Sequence, residues 1–343
     1  MYSVPNARNE REIRNPNVLI YQLVGVSYEL IYHSRLFNII YIMRTKVRIR
    51  DLWRCVMACT RPLNAYQMPS GKIFFTPSRG AKFIQLPCGQ CIGCRLAHSR
   101  DWATRCVHEA HMHDHNCFIT LTYSPENLPE GGTLVRKHFT DFMKRLRKAL
   151  AVDDISIRFF GCGEYGSKLE RPHYHAIIFG YDFPDKTLHK AGRFNLYRSS
   201  LLERCWTFGW SVVAAFSFES AAYVARYCVK KVTGSRADEH YGHRIPEFSA
   251  MSNRPGIGYD FFMEYYDDIV NSDACIGRGG RQIKPPRYYD KLLSGCDFEK
   301  LQQNKEKRQL NARVLDPWRL QDLDKFNLVK FQRMMRKLED GSL

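Results

Sequence analysis

Pro172-His173-Tyr174-His175-Ala176-Ile177-Ile178-Phe179 decides how the rest of the chain is read. An apolar, β-branched and aromatic run behind a proline is strand-like, and strand residues two apart face the same side. His173 and His175 therefore present both imidazoles to one point. His-x-His alone also occurs in strands that hold no ligand, and Glu164 is what changes the reading. It stands just past a second strand, Ile155 to Phe160, in a turn-prone loop from Gly161 to Arg171. If the two strands pair as a hairpin, the carboxylate completes a two-His-one-carboxylate set with open positions. Mixed nitrogen and oxygen ligation suits Mn²⁺ or Mg²⁺ better than a closed structural zinc, and its use would be to polarise a phosphoryl oxygen.

Outward from this pair, Cys117 to Tyr123 reads as a strand ended by Ser124-Pro125, and Trp210 to Phe216 as a fourth. Leu134 to Leu150 is the clearest helix: Val135, Phe139, Phe142, Met143, Leu146 and Leu150 form one apolar stripe. Its other face carries Arg136, Lys137, Lys144, Arg147 and Lys148, either a solvated face or a track for phosphates. Ser99 to His111 reads as a short helix, and Ser217 or Ser220 can cap another from about Ala221 to Val232. Strands followed by amphipathic helices give an α+β fold, with helices packed on one face of an antiparallel-rich sheet. Residues 235–296 read as loop-rich and 297–338 as helical, broken at Pro317.

On the helix after Ser217, Tyr223, Tyr227 and Lys231 recur every four residues and so share one face. Two phenols at that spacing can alternate at one phosphate, or can simply pack. A tyrosine with its usual pKa near 10 needs a cation beside it to act as a nucleophile, and Lys231 is placed to supply one. Cys88, Cys91 and Cys94 put three thiols in seven residues, with Cys59 as a candidate fourth ligand for a structural Zn²⁺. His98 occupies the position where an iron–sulfur run would continue with Cys. His108, His111, His113 and His115 straddle a helix end and a turn, so they read as an exposed polar junction rather than a metal site.

The 343 residues, 44% hydrophobic, suffice for one large core or two modest ones. Lys and Arg outnumber Asp and Glu by 52 to 35, and a net charge of +17 favours a polyanionic partner such as nucleic acid. Arg136, Lys137, Lys144, Arg226, Lys230, Lys231, Arg278, Arg281 and Lys284 offer cations for a DNA backbone. No membrane association is expected: Val18 to Ile42 is interrupted by Gln22, Glu29, His33, Arg35 and Asn38. No secretory signal is visible, so the twelve cysteines are expected in a reducing cytosol. Residues 1–56 differ in character from the rest and read as a dispensable extension ahead of Met57.

Phe118-Ile-Thr-Leu-Thr-Tyr123, then Glu164 with His173-Tyr-His175, then Tyr223-x3-Tyr227-x3-Lys231 follow the order of the three motifs of HUH rolling-circle replication initiators, whose two-tyrosine branch the chain resembles. The text around them, including Cys88-Gly-Gln-Cys91-Ile-Gly-Cys94 and Gly163-Glu-Tyr-Gly166, is similar to replication initiators of the gokushovirus group of Microviridae. The resemblance runs from about Met57 to Lys231, more loosely beyond, and leaves out 1–56. It implies a ferredoxin-like sheet forming an endonuclease core over 117–234. A Cys-rich segment over 57–116 would precede that core, and a C-terminal region over 235–343 would follow it.

It implies that His173 and His175 hold a metal, with Glu164 as third ligand. It also implies that Tyr223 and Tyr227 cut and rejoin single-stranded origin DNA through a 5′-phosphotyrosine. Host polymerase and helicase would be partners, and the host bacterial cytoplasm the location. A relaxase or transposase of the same chemistry is one rival reading. A non-catalytic, zinc-containing DNA-binding protein is the other.

Overall fold

The computed structural model describes residues 59–166, 169–192, 194–230, 237–277, 280–311 and 317–339. The segment expected to be dispensable, 1–56, lies outside them. A small antiparallel sheet comes first, built from β1 (Leu63–Gln67), β2 (Ile73–Phe74) and β3 (Lys82–Leu86) in the order β2-β1-β3. Helix α1 (Ile92–His111) follows. It begins seven residues ahead of the expected Ser99, because the Cys91 side chain accepts the Cys94 N–H and caps it.

The main sheet has seven strands, and every neighbouring pair in it is antiparallel. In chain order they are β4 (Asn116–Tyr123), β5 (Arg158–Tyr165), β6 (Pro172–Phe179), β7 (Thr187–Lys190), β8 (Leu196–Arg198), β9 (Gly209–Ala215) and β10 (Phe248–Met251). In space they run β10-β5-β6-β4-β9-β8-β7. Strand β4 alternates as its sequence predicts: Cys117, Ile119, Leu121 and Tyr123 are buried on one face. Helix α2 (Arg136–Leu150) lays Phe139, Phe142, Met143, Leu146 and Leu150 on that face, beside α3 (Ser200–Cys205). Burying each such side chain stabilises the fold by roughly 1.5–3 kcal/mol.

The second face is also covered, contrary to the expectation of helices on one side. Helices α1 and α4 (Phe218–Lys230) pack along one another, and α4 lies over β5, β6 and β10. Phe160, Cys162, Ile177 and Phe179 form their shared core with Ala221 and Val224. The physical reason is that β5 and β6 are apolar on both faces, so neither can be left to water. Helix α4 starts where Ser217 and Ser220 exchange bonds, each side-chain hydroxyl accepting the other's N–H at 2.8 and 3.1 Å.

Strand β5 runs five residues beyond the expected Phe160, through Gly161-Cys162-Gly163-Glu164-Tyr165. Its glycines read as loop, yet they are needed for packing. A Cβ on Gly161 would stand 2.7 Å from Phe139 Cζ, and one on Gly163 would stand 2.7 Å from Phe248 Cε1. Phe248 belongs to β10, an edge strand paired with β5.

Beyond it come α5 (Ala237–Tyr241, just ahead of β10), α6 (Tyr259–Glu264) and α7 (Tyr266–Ser272). The ribbon β11–β12 (Cys275–Ile276, Gln282–Ile283), α8 (Arg287–Cys296), α9 (Phe298–Leu310) and α10 (Pro317–Glu339) complete the chain. Phe262, Ile269, Val270, Tyr289, Leu293 and Leu301 give this part its own core, so 235–296 is more ordered than its loop-like sequence suggests. No helix among the described residues is long and apolar enough to cross a membrane.

Candidate functional site

The β5–β6 hairpin pairs Glu164 directly with His173 and Cys162 with His175, so all three candidate ligands rise on the second sheet face. Glu164 Oε1 lies 2.7 Å from His173 Nε2 and 3.0 Å from His175 Nε2. The donor atoms of the three lie within 4.8 Å of one another. Glu164 is only 2% exposed. Burial pushes its carboxyl up, but the hydrogen bonds from the two imidazoles outweigh that and hold it at about 2.

The outer edges of both rings are also tied. His173 Nδ1 donates to the Arg171 carbonyl at 3.0 Å, and His175 Nδ1 lies 2.9 Å from Thr120 Oγ1 across the β4–β6 ladder. A carbonyl can only accept, so Nδ1 of His173 carries the proton and its Nε2 lone pair points inward. Phe118 stacks on His175 with ring centroids 5.4 Å apart. Two inward imidazole nitrogens and a carboxylate, with outer partners fixing the rings, form a donor set that fits a divalent cation with positions left over.

Tyr223, from the second turn of α4, brings its hydroxyl to 3.3 Å from His175 Nε2, the rings 5.0 Å apart and edge to face. Tyr227 lies one turn further along α4. Its side chain, and the whole of Lys231, fall outside the described residues. The cations of α2 are on the opposite sheet face from this cluster: Lys137 and Lys144 both pair with Asp141, and the Arg136 guanidinium sits 4.2 Å over the Phe248 ring. The phosphate track expected on that helix therefore does not lead to the site. Thr120 and Arg171 belong to the site although the sequence reading does not single them out. Strand alternation in Phe118-Ile-Thr120 is the signal that puts the threonine on the histidine face.

Cys59, Cys88, Cys91 and Cys94 also converge within 4.8 Å. Register explains it: β1 pairs Leu63 with Leu86 of β3, so Cys59 just before one strand meets Cys88 just after the other. Backbone N–H groups point at the sulfurs. Cys88 N–H donates to Cys59 Sγ at 3.2 Å, Gln90 and Cys91 to Cys88 Sγ at 3.4 and 3.3 Å, and Thr60 and Cys94 to Cys91 Sγ at 3.5 Å. Burial raises the Cys91 thiol, but the Thr60 and Cys94 N–H groups outweigh it and lower it to about 6. Burial pushes the Cys59 and Cys94 thiols up instead. Four sulfurs this close can all be thiolates only around a cation, and four thiolates fit a tetrahedral zinc.

The other histidines go their own ways. His98 accepts from Trp102 Nε1. His108, expected at an exposed junction, is instead buried, with Nδ1 2.8 Å from the Tyr289 hydroxyl and Nε2 3.2 Å from the Ile276 carbonyl. His111 meets Tyr265, and His113 meets Glu109.

Such a sheet, with a cation-binding donor set beneath a tyrosine-bearing helix, defines a class of α+β protein with one open, chemistry-ready face. The segment that carries it, residues 116–232, matches the family model of the replication-associated protein ORF2. Replication-associated protein ORF2 of Spiroplasma virus 4 is 32% identical over 261 residues, covering 69% of this chain and 80% of that one. Replication-associated protein VP4 of Bdellovibrio phage phiMH2K is 30% identical, covering 76% and 84%. Replication-associated protein ORF4 of Chlamydia phage 1 is 32% identical, covering 61% and 53%. The chain belongs to this family of phage replication-associated proteins, in its gokushovirus-like branch. No solved structure matches it.

Proposed function

We propose that the protein initiates rolling-circle replication in the host bacterial cytoplasm as a metal-dependent HUH endonuclease, nicking and rejoining single-stranded origin DNA. The observation that carries this reading is the Tyr223 hydroxyl standing 3.3 Å from a histidine of the Glu164–His173–His175 cluster. Strand order supports it: β9-β4-β6-β5 corresponds to the 4-1-3-2 order of a ferredoxin-like sheet, with α2 and α3 on its first face.

Glu164, His173 and His175 would hold Mn²⁺ or Mg²⁺. When bound, that cation polarises a non-bridging oxygen of the scissile phosphate and draws charge from it. Thr120 and the Arg171 carbonyl keep the imidazoles turned inward. Tyr223 Oη loses its proton and bonds to phosphorus as the bond to O3′ breaks. The departing O3′ takes up a proton and leaves as a hydroxyl, and the phosphate stays esterified to the tyrosine at its 5′ side. Tyr227, supported by Lys231, would perform the second attack, and attack by the free 3′-OH on a phosphotyrosine reverses the same bond changes to rejoin the strand. Host polymerase would extend the 3′-OH while host helicase opens the duplex. Zinc at Cys59, Cys88, Cys91 and Cys94 would be structural.

The test is to incubate purified protein with Mn²⁺ and labelled single-stranded fragments tiling the phage genome, then run a denaturing protein gel. A labelled band that disappears in Tyr223→Phe/Tyr227→Phe is the expected result. Binding without an adduct on any fragment would sink the nuclease reading in favour of a non-catalytic DNA-binding protein.

A further inference from the structure

Four consecutive residues of one cross-sheet row are Glu164, His173, Thr122 and Trp210. Glu164 pairs with His173, His173 with Thr122, and Thr122 with Trp210. Residues directly opposite on neighbouring strands share a face, so the Trp210 indole stands on the same side as the cation donors. The burial of β9 agrees: Ser211 and Val213 turn into the first-face core, and Trp210 turns the other way. It is 53% exposed. Helix α4 packs over β5, β6 and β10, on the far side of the histidines from this strand.

A tryptophan left half in water is unusual, because its large apolar surface is worth burying and its N–H is easily satisfied by a neighbour. Trp206, three residues before β9, shows the ordinary case: it is 1% exposed and donates its Nε1–H to the Thr122 carbonyl at 2.9 Å. The backbone ahead of Trp210 is also tightly set. A Cβ on Gly209 would stand 2.3 Å from Ser124 N and 2.5 Å from the Thr122 carbonyl oxygen, so only glycine lets β9 begin pressed against β4. The indole is therefore carried on a fixed strand rather than on a loop. At a strand spacing of about 4.8 Å, it lies two strands, or about 10 Å, from His173. A cation belongs to the same sheet end: Arg171 donates to the Tyr123 carbonyl at 3.1 Å.

We propose that Trp210 is a base-stacking residue of the DNA-bearing face, receiving a nucleobase of the single strand within about three nucleotides of the scissile phosphate at a stacked rise of ~3.4 Å. This rests on reading the cluster as a single-strand nuclease site. The occupant is a nucleobase and not a protein side chain because the chain carries +17 and the row leads to a site built for a phosphate oxygen. Stacking on an aromatic ring accepts any base, so Trp210 holds and orients the strand while other contacts select the sequence. It is a positioning residue.

The experiment measures equilibrium binding of the full chain to a labelled oligothymidylate of about 20 nucleotides, by anisotropy over a salt series, alongside the adduct assay on genome fragments. Trp210→Ala should bind about ten-fold more weakly, Trp210→Phe close to wild type. The dependence on log salt should keep its slope, because stacking releases no counterions. A changed slope, or equal weakening by alanine and phenylalanine, would mean that the substitution disturbs the sheet and would overturn the proposal. Wild-type binding by Trp210→Ala, with adduct formation intact, would remove the stacking role and leave the nuclease reading standing. Weakened binding in a protein that never forms an adduct would keep the stacking face and remove the chemistry. Absence of single-strand binding by the wild-type chain would end both.

Discussion

The cysteine cluster and the Glu164–His173–His175 cluster are both compact donor sets, and they are built in opposite ways. The cysteines come from strand ends, a tight turn and a helix cap, and backbone N–H groups crowd their sulfurs. Four soft donors complete a tetrahedron and leave nothing for a substrate. The other set sits within paired strands, its rings held from outside by Thr120 and the Arg171 carbonyl, with three donors and a tyrosine hydroxyl beside them. Three donors leave positions open. Completeness of the ligand set is what separates a site that holds a fold from a site that can turn over.

The sharpest way to break this comparison is to remove the open site. His173→Ala with His175→Ala should lower adduct formation by at least ~10³-fold, about 4 kcal/mol of transition-state stabilisation, while zinc content stays unchanged. Adducts formed at the wild-type rate would mean that the cluster does no chemistry.

Next in size is the closed site. Untagged protein should carry about one zinc per chain that resists the dilute EDTA which abolishes Mn²⁺-dependent activity, and Cys91→Ala should lose that zinc and several kcal/mol of stability. Elemental analysis and limited proteolysis around residues 59–94 would show it. Zinc below about half an equivalent with the fold intact, or loss of both ions together in EDTA, contradicts the division into closed and open sites.

His108 offers a histidine buried for packing instead of ligation. It is 3% exposed, and burial drives its pKa down to about 4. The unfolded chain takes up that proton below about 6.5 and the folded chain does not. Its contribution is therefore complete above pH 6.5 and is lost as the pH falls toward 4, a change of about 3 kcal/mol. Denaturant unfolding at pH 7.5 and 5 should register this fall, and His108→Gln should flatten it. An unchanged slope in that variant would assign the acid sensitivity elsewhere.

Much of the site is legible in the sequence because its signals are local. His-x-His alternation puts two imidazoles on one face, and a four-residue repeat puts Tyr223 on a helix face without any knowledge of the fold. The hidden parts depend on distant partners. Gly161 and Gly163 look like a loop until Phe139 and Phe248 press on them, so β5 reads as stopping short of Glu164. Helix α1 reads as beginning at Ser99 because its cap is a cysteine that looks first like a ligand. The second helical layer is hidden for the same reason: an apolar β5 and β6 ask for cover on both sides, but the sequence shows only part of β5 as strand.

The smallest effect is the most discriminating, because it touches neither a ligand nor the core. Thr120→Val keeps a β-branched side chain of nearly the same shape on β4, so the strand should be undisturbed. What it removes is the hydroxyl 2.9 Å from His175 Nδ1. While that hydroxyl accepts from Nδ1–H, the Nε2 lone pair is kept facing Glu164; without it the ring can swing or change tautomer. Loss of such an outer partner typically weakens metal affinity 10–100-fold, so Mn²⁺ titration of Thr120→Val should show a shift of that order with Tm and zinc content unchanged. Thr120→Ser restores the hydroxyl and should restore the affinity. The corresponding bond of His173 goes to a backbone carbonyl that no side-chain change can delete, so Thr120 is where the support of the open site can be removed cleanly. A Thr120→Val protein that binds Mn²⁺ like the wild type would mean that the imidazoles are held by sheet packing alone.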